Sequence, residues 1–300
     1  MYREHFGLKE PPFGITPDTS YFFASGGYQE ALNTLLISAR AGEGFIKITG
    51  EVGTGKTLLC RKFMGSLGPD FKVAYIPNPY LDPYTLLSVL ADELGAPPRE
   101  GEVNQHQLVK ALSRALLDHA RAGKRVVVCL DEVQAMPLES LEALRLLTNL
   151  ETEKRKLLQV VIFGQPELED KLNHPSIRQL KQRITFEYQL GALTPDELHY
   201  YLNHRLVVAG YQGGRLISPL ALWVLHRKTG GIPRLVNIVV HKAMLSAYGK
   251  GNKFVGVSDV MAAVKDTGTT RKRQQYERLT IMSLLFALIC AAVLAWKLLQ

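Results

Sequence analysis

Residues 45–62 read FIKITGEVGTGKTLLCRK. Phe45 to Thr49, with Phe45, Ile46 and Ile48 apolar, reads as a strand. It leads into Gly50-Glu51-Val52-Gly53-Thr54-Gly55-Lys56-Thr57, which satisfies G-x-x-x-x-G-K-[ST], and a helix is predicted from Lys56 to Leu67. Strand, glycine loop and helix in that order are the setting a phosphate cradle requires. Glycines at such positions let several backbone N–H groups turn inward on one tight loop, and the helix N-terminus adds its dipole. Gly50 to Leu58 are therefore expected to hold the phosphates of ATP, with Lys56 on the β- and γ-phosphates and Thr57 on Mg²⁺.

The second half of such a site is expected at Val126-Val127-Val128-Cys129-Leu130-Asp131-Glu132. A buried strand delivers Asp131 to its carboxyl end to bind Mg²⁺ through water, and Glu132 to polarise the attacking water. After the strand ending at Phe163, Gln165 is either a sensor of the γ-phosphate or a turn residue before Pro166. Arg178 and Arg183 precede the last strand. A permanently charged planar group supplied to a neighbouring subunit would neutralise charge during phosphoryl transfer, with Arg183 the first choice for that finger and Arg178 the second. Gly230-Gly231-Ile232-Pro233-Arg234 opens a helix with Pro at its first position, and Arg234 is expected to sense nucleotide from a lid.

Strands and helices alternate around these motifs. Predicted strands at 45–49, 73–76, 125–130, 158–163 and 184–190 are separated by helices at 56–67, 83–94, 105–121 and 138–150, after a first helix at 28–41. That alternation predicts an α/β fold with a parallel five-stranded sheet covered on both faces, binding its ligand at the carboxyl ends of the strands. Beyond Gly191 it gives way to helices at 194–209, 218–228, 233–248 and 258–265. The expected organisation is an N-terminal arm (1–27), extended because it is rich in Pro and turn formers, then a P-loop core (28–191) and a helical lid (192–266). A basic linker (267–278) and a transmembrane helix (279–299) follow.

Leu279 to Trp296 is 18 residues without a charge, about 27 Å as a helix. Arg271, Lys272, Arg273 and Arg278 precede it and only Lys297 follows, which holds the preceding chain in the cytoplasm. Five basic and two acidic residues between 265 and 278, with Lys297, carry half of the formal +8, so the basic composition is a weak argument for nucleic acid. Cys60, Cys129 and Cys290 lack metal or disulfide spacing and read as free thiols. The first ten residues have no apolar run of the secretory kind.

Taken in order, Gly50 to Thr57, Asp131-Glu132, Gln165, Arg183 and Gly231-Ile232-Pro233-Arg234 resemble the motif set of AAA+ ATPases. The opening Phe6-Gly7-Leu8 and Pro11-Pro12-Phe13, with Gly42-Glu43-Gly44-Phe45, are similar to the general secretion pathway A (ExeA) group. Gly44-Phe45-Ile46-Lys47, Leu58-Leu59-Cys60-Arg61-Lys62 and Ile76-Pro77-Asn78-Pro79-Tyr80 further resemble the ATPases of MSHA type IV pilus biogenesis. The resemblance covers about residues 1–265. It implies an ATP- and Mg²⁺-dependent ATPase of the bacterial inner membrane, self-associating through its finger and working with pilus or secretion assembly proteins. ExeA-type relatives continue past the membrane into a peptidoglycan-binding region, whereas this sequence stops at Gln300. A DNA-associated ATPase of the transposition or replication-initiator kind is the alternative.

Overall fold

The computed structural model describes residues 2–96, 104–152 and 155–268. They divide into two compact units, Pro17–Gly191 and a second that joins Met1–Thr16 to the chain from Ala192 onward. Most of the expected basic linker and all of the expected membrane span lie outside the described residues. Among the described residues no helix is long and apolar enough to cross a membrane. The opening stretch is not wholly extended: it starts with a short helix, α1 (Tyr2–Phe6), and belongs to the second unit.

In the first unit α2 (Gly26–Ala41) leads to β1 (Phe45–Gly50), α3 (Lys56–Ser66) and β2 (Phe71–Ile76). Then come α4 (Pro83–Glu93), α5 (Gln105–Arg121), β3 (Arg125–Leu130) and α6 (Leu138–Leu147). A two-stranded antiparallel hairpin, β4 (Glu151–Thr152) and β5 (Arg155–Lys156), occupies sequence just past the predicted end of a helix at Leu150. That helix stops early: past Thr148 the backbone tightens, with Asn149 N–H donating to Leu146 O (3.2 Å) and Leu150 N–H to Leu147 O (3.1 Å). The unit closes with β6 (Leu158–Gly164), α7 (Leu168–Leu172), α8 (Arg178–Lys181) and β7 (Ile184–Leu190).

The five main strands form one parallel sheet in the order β2-β3-β6-β1-β7. Side chains alternate across it, so Phe45, Val126, Val128, Val160 and Ile162 enter one core, packed with residues of α4, α5 and α6. Ile46, Ile48, Val127, Cys129, Val161 and Phe163 enter the other with α2 and α3. Burial on both faces explains why Val126 to Leu130 of β3 and Val160 to Phe163 of β6 read as unbroken apolar runs. The edge strand β7 departs from it: Thr185, Phe186, Glu187 and Gln189 are exposed. On this side β1 presents Lys47, buried and ion-paired with Glu169 and, at 2.8 Å, with Glu187.

The second unit contains α9 (Pro195–Val208), α10 (Pro219–Thr229), α11 (Pro233–Gly249) and α12 (Val257–Asp266). Thr194 and Ser218 cap the first two, each followed by a proline whose missing N–H costs nothing there. Buried Arg205 of α9 donates to Pro12 O (2.6 Å) and Gly14 O (3.3 Å), and Asn237 of α11 also donates to Gly14 O (3.3 Å). These bonds tie the opening stretch to the helices.

Candidate functional site

The loop between β1 and α3 has the backbone a phosphate cradle needs. Gly53 and Gly55 have φ of 84° and 98°, in the left-handed region where a side chain is strained. A Cβ on Gly50 would come within 2.7 Å of Leu190 O, and one on Gly55 within 2.5 Å of the Tyr28 hydroxyl. Gly55 is the N-cap of α3 and has no side chain of its own to offer the first-turn N–H groups of Lys56, Thr57 and Leu58. Glu51 and Val52 are exposed at the loop tip, and Thr54 turns inward to donate to Glu51 O (2.8 Å).

Lys56 is buried and its ammonium donates to Gly50 O (2.7 Å) and Glu51 O (3.1 Å), curled over the loop it would serve. Burial pushes its pKa down, against the fields of Glu132 and Asp131. Strand β3 carries Asp131 to its carboxyl end, where the carboxylate accepts from Thr57 Oγ1 (2.5 Å) and from the Glu132 N–H (3.0 Å). Burial raises the Asp131 pKa, and those hydrogen bonds only partly offset it. Paired hydroxyl and carboxylate oxygens beside a glycine cradle are the donor set of Mg²⁺, which takes few protein ligands and completes its shell with phosphate and water. The cradle, the buried ammonium and this oxygen pair fit ATP and Mg²⁺.

Glu132 is the one non-glycine residue with positive φ among the described residues, at 55°. Holding a residue there costs about 1–3 kcal/mol and persists only where the surroundings over-determine it. The surroundings here are two amides: Gln134 Nε2 (2.5 Å) and Gln165 Nε2 (2.9 Å) both donate to Glu132 Oε2. Burial alone would raise the Glu132 pKa, but these bonds and the Lys56 charge outweigh it, so the carboxylate is held ionised below its ordinary range.

Gln165 reaches Glu132 because β6 lies between β1 and β3, which sets its end between the glycine loop and the acidic strand tip. Lys56, Thr57, Asp131, Glu132 and Gln165 therefore converge. Arg183 does not join them: Ile184, the next residue, pairs with Phe45 at the opposite end of β1, about 16 Å of strand from Gly50. It is half-buried and donates to Thr148 Oγ1 (3.1 Å), whereas Arg178 is exposed. Arg234 belongs to the helical unit, exposed at the start of α11. Gly230 and Gly231 before it have φ of 63° and 72°, and a Cβ on Gly231 would meet Leu193 O at 2.1 Å.

The sequence reading missed Gln134 and Tyr28. Gln134 sits two residues past an acidic pair, where a polar residue carries no signal of its own. Tyr28, on α2 and distant in sequence, meets Gly55 only through the packing of α2 beside α3.

Residues 39–172 match the AAA domain family. The chain is 40% identical to general secretion pathway protein A of Aeromonas hydrophila over 97% of its own length, and it spans 53% of that relative, about half. Among solved structures it is similar to Cdc6p of Pyrobaculum aerophilum, with TM-score 0.65 and 19% identity over 84% of this chain and 71% of that one. It is also similar to the Aeropyrum pernix ORC2 protein in its ADPNP–ADP complexes (TM-score 0.59, 20% identity, 80% of this chain and 67% of that one). The Thermotoga maritima RuvB branch migration motor has TM-score 0.56 and 14% identity, over 84% of this chain and 72% of that one. At these identities the structural likeness speaks for the fold alone. Residues 39–172 thus match the AAA domain family and lie within a unit that has a P-loop α/β fold, in a chain similar to general secretion pathway protein A.

Proposed function

We propose that this protein is a Mg²⁺-dependent ATPase of the general secretion pathway A kind, held at the bacterial inner membrane with its ATPase unit in the cytoplasm. Its nucleotide cycle supports assembly of a type II secretion apparatus or an MSHA-like type IV pilus. The observation that carries the reading is the convergence of a glycine cradle, a buried ammonium, the Thr57–Asp131 oxygen pair and the Glu132 carboxylate at the carboxyl end of one parallel sheet. The likeness to the Aeromonas protein supports the secretion setting, and the uncharged sequence 279–296 supports the anchor.

ATP and Mg²⁺ supply the scissile phosphoanhydride and the charge neutralisation at it. Gly50 to Leu58 bind the phosphates through backbone N–H groups, Lys56 adds a cation, and Thr57 with Asp131 holds the metal. Glu132 orients and polarises water as a general base, while Gln165 senses the terminal phosphate. Arg183, remote from its own site, serves a neighbour in a ring or partial ring, and Arg234 reports nucleotide to the helical unit. The test is ATP binding and hydrolysis by the purified full chain. Losing a buried charged contact costs about 2–5 kcal/mol, so Lys56→Ala should weaken ATP binding at least about 30-fold. Equal affinity in the variant and the parent would remove this reading.

A DNA-associated ATPase is the second reading, favoured by the fold it shares with ORC- and Cdc6-type proteins. Half of the positive charge excess falls at 265–297, beside the apolar segment, which favours the membrane reading. Salt-sensitive DNA binding by full-length protein in detergent, at sites distant from residues 271–278, would reverse that preference.

A further inference from the structure

We infer that Gln134 is a positioning residue that joins Glu132 and Gln165 into one hydrogen-bonded unit, so that engagement of Gln165 by a terminal phosphate is passed on to Glu132. The inference rests on the ATPase reading and adds to it a device for coupling phosphate sensing to the base.

A single planar amide makes both connections. Gln134 Oε1 accepts from the backbone N–H of Gln165 (3.0 Å), and Gln134 Nε2 donates to Glu132 Oε2 (2.5 Å). The Gln165 side chain donates to that same Glu132 oxygen (2.9 Å), closing a ring of three residues across β3 and β6. Only a side chain with a donor and an acceptor on one rigid group spans this gap. A carboxylate would set an acceptor against Glu132, and an apolar side chain would contribute neither bond.

The backbone is arranged for the contact. The left-handed turn at Glu132 starts a single 3₁₀ turn, Val133–Ala135, which brings Gln134 back toward β6. Gly164, just before Gln165, leaves room for Leu168, whose side chain would lie 2.6 Å from an added Cβ, while Gln134 Oε1 at 3.5 Å would be in ordinary contact with it. Two donors on Oε2 orient the Glu132 carboxylate. When Gln165 turns to a terminal phosphate, Glu132 loses one of its two restraints while Gln134 keeps the remaining one tied to the Gln165 backbone.

The test is a double-mutant cycle read by binding. ATP and ADP affinities are measured by titration on the full-length parent, Gln134→Met, Gln165→Met and the double variant. Residues in one network couple by about 2- to 150-fold in an affinity. Each single change is expected to shift the ratio of ATP to ADP affinity several-fold, with the double variant within about twofold of the larger single effect. Gln134→Leu, which likewise contributes neither bond and adds no charge, should behave as Gln134→Met and serves if the methionine variant does not fold. Single effects that multiply in the double variant overturn the inference while leaving the ATPase reading intact, whereas a parent without ATP affinity removes both.

Discussion

Replacing Gly55 by alanine places a methyl group where the backbone and the packing both resist it. Gly55 has φ of 98°, and a left-handed conformation costs an L-residue about 1–2 kcal/mol. Its Cβ would also lie 2.5 Å from the Tyr28 hydroxyl, with the Tyr28 ring carbons next at 3.3 Å. Forcing an extra carbon into a closed contact costs about 1–3 kcal/mol. Gly55→Ala should then destabilise the sheet-containing unit by about 2–5 kcal/mol. At about 2–4 °C per kcal/mol for a unit of this size, its Tm falls roughly 10 °C. Tyr28→Phe removes the atom that clashes, and the ring carbons left at 3.3 Å need yield only a few tenths of an ångström. In the alanine background Tyr28→Phe should restore about 1–2 kcal/mol of the overpacking loss, whereas in the parent it is neutral or mildly destabilising. The assay is thermal unfolding by circular dichroism without nucleotide. A double variant no more stable than Gly55→Ala would refute the packing argument and leave the backbone alone responsible.

Glu132→Gln should bind ATP like the parent but hydrolyse it at least about 100-fold more slowly, as loss of a general base does; normal turnover would remove its assigned role. Arg183→Ala should abolish any rise of specific ATPase activity with protein concentration, measured against sedimentation of the same samples, while ATP affinity in dilute protein stays unchanged. Hydrogen bonds to Lys47 hold the Glu187 pKa below its ordinary 4.5, so this contribution to stability is present above that pH and is lost as pH falls through the folded value. Lys47→Met should therefore show a shallower loss of Tm on acidification below about pH 4.5 than the parent, and parallel curves would contradict the assignment. Cys60 and Cys129 are both buried, and contact with Cys129 together with burial pushes the Cys60 thiol well up. Native protein should resist alkylation at both positions and react at both in denaturant, by mass spectrometry of the peptides.

Several parts of the site were legible because their chemistry is local. Gly50 to Thr57 form one continuous loop whose glycine spacing dictates the backbone, and Asp131-Glu132 follow an apolar run that has to be a buried strand. Helix starts at Thr194 and Ser218 were equally open, since a cap and a following proline are neighbours in sequence. The early stop of α6 and the hairpin after it were not. The helix closes on tighter backbone bonds, Asn149 N–H to Leu146 O and Leu150 N–H to Leu147 O, that helical periodicity does not register. The polar face at β7 was also hidden, because Glu187 reads as one acid in a strand until Lys47 is found beside it.

What the amino-acid order determined by itself was the alternation of strands and helices, the glycine loop between β1 and α3 and the acidic strand tip, all set by periodicity and backbone conformation within a dozen residues. Only the tertiary structure decided that β6 enters the sheet between β1 and β3, and so that Gln165 and Gln134 share an oxygen of Glu132. It likewise decided that Tyr28 closes against Gly55 and that Arg183 stands at the far end of β1 from its own loop. Strand order depends on which apolar faces bury one another across long stretches of chain, a competition that no local pattern encodes.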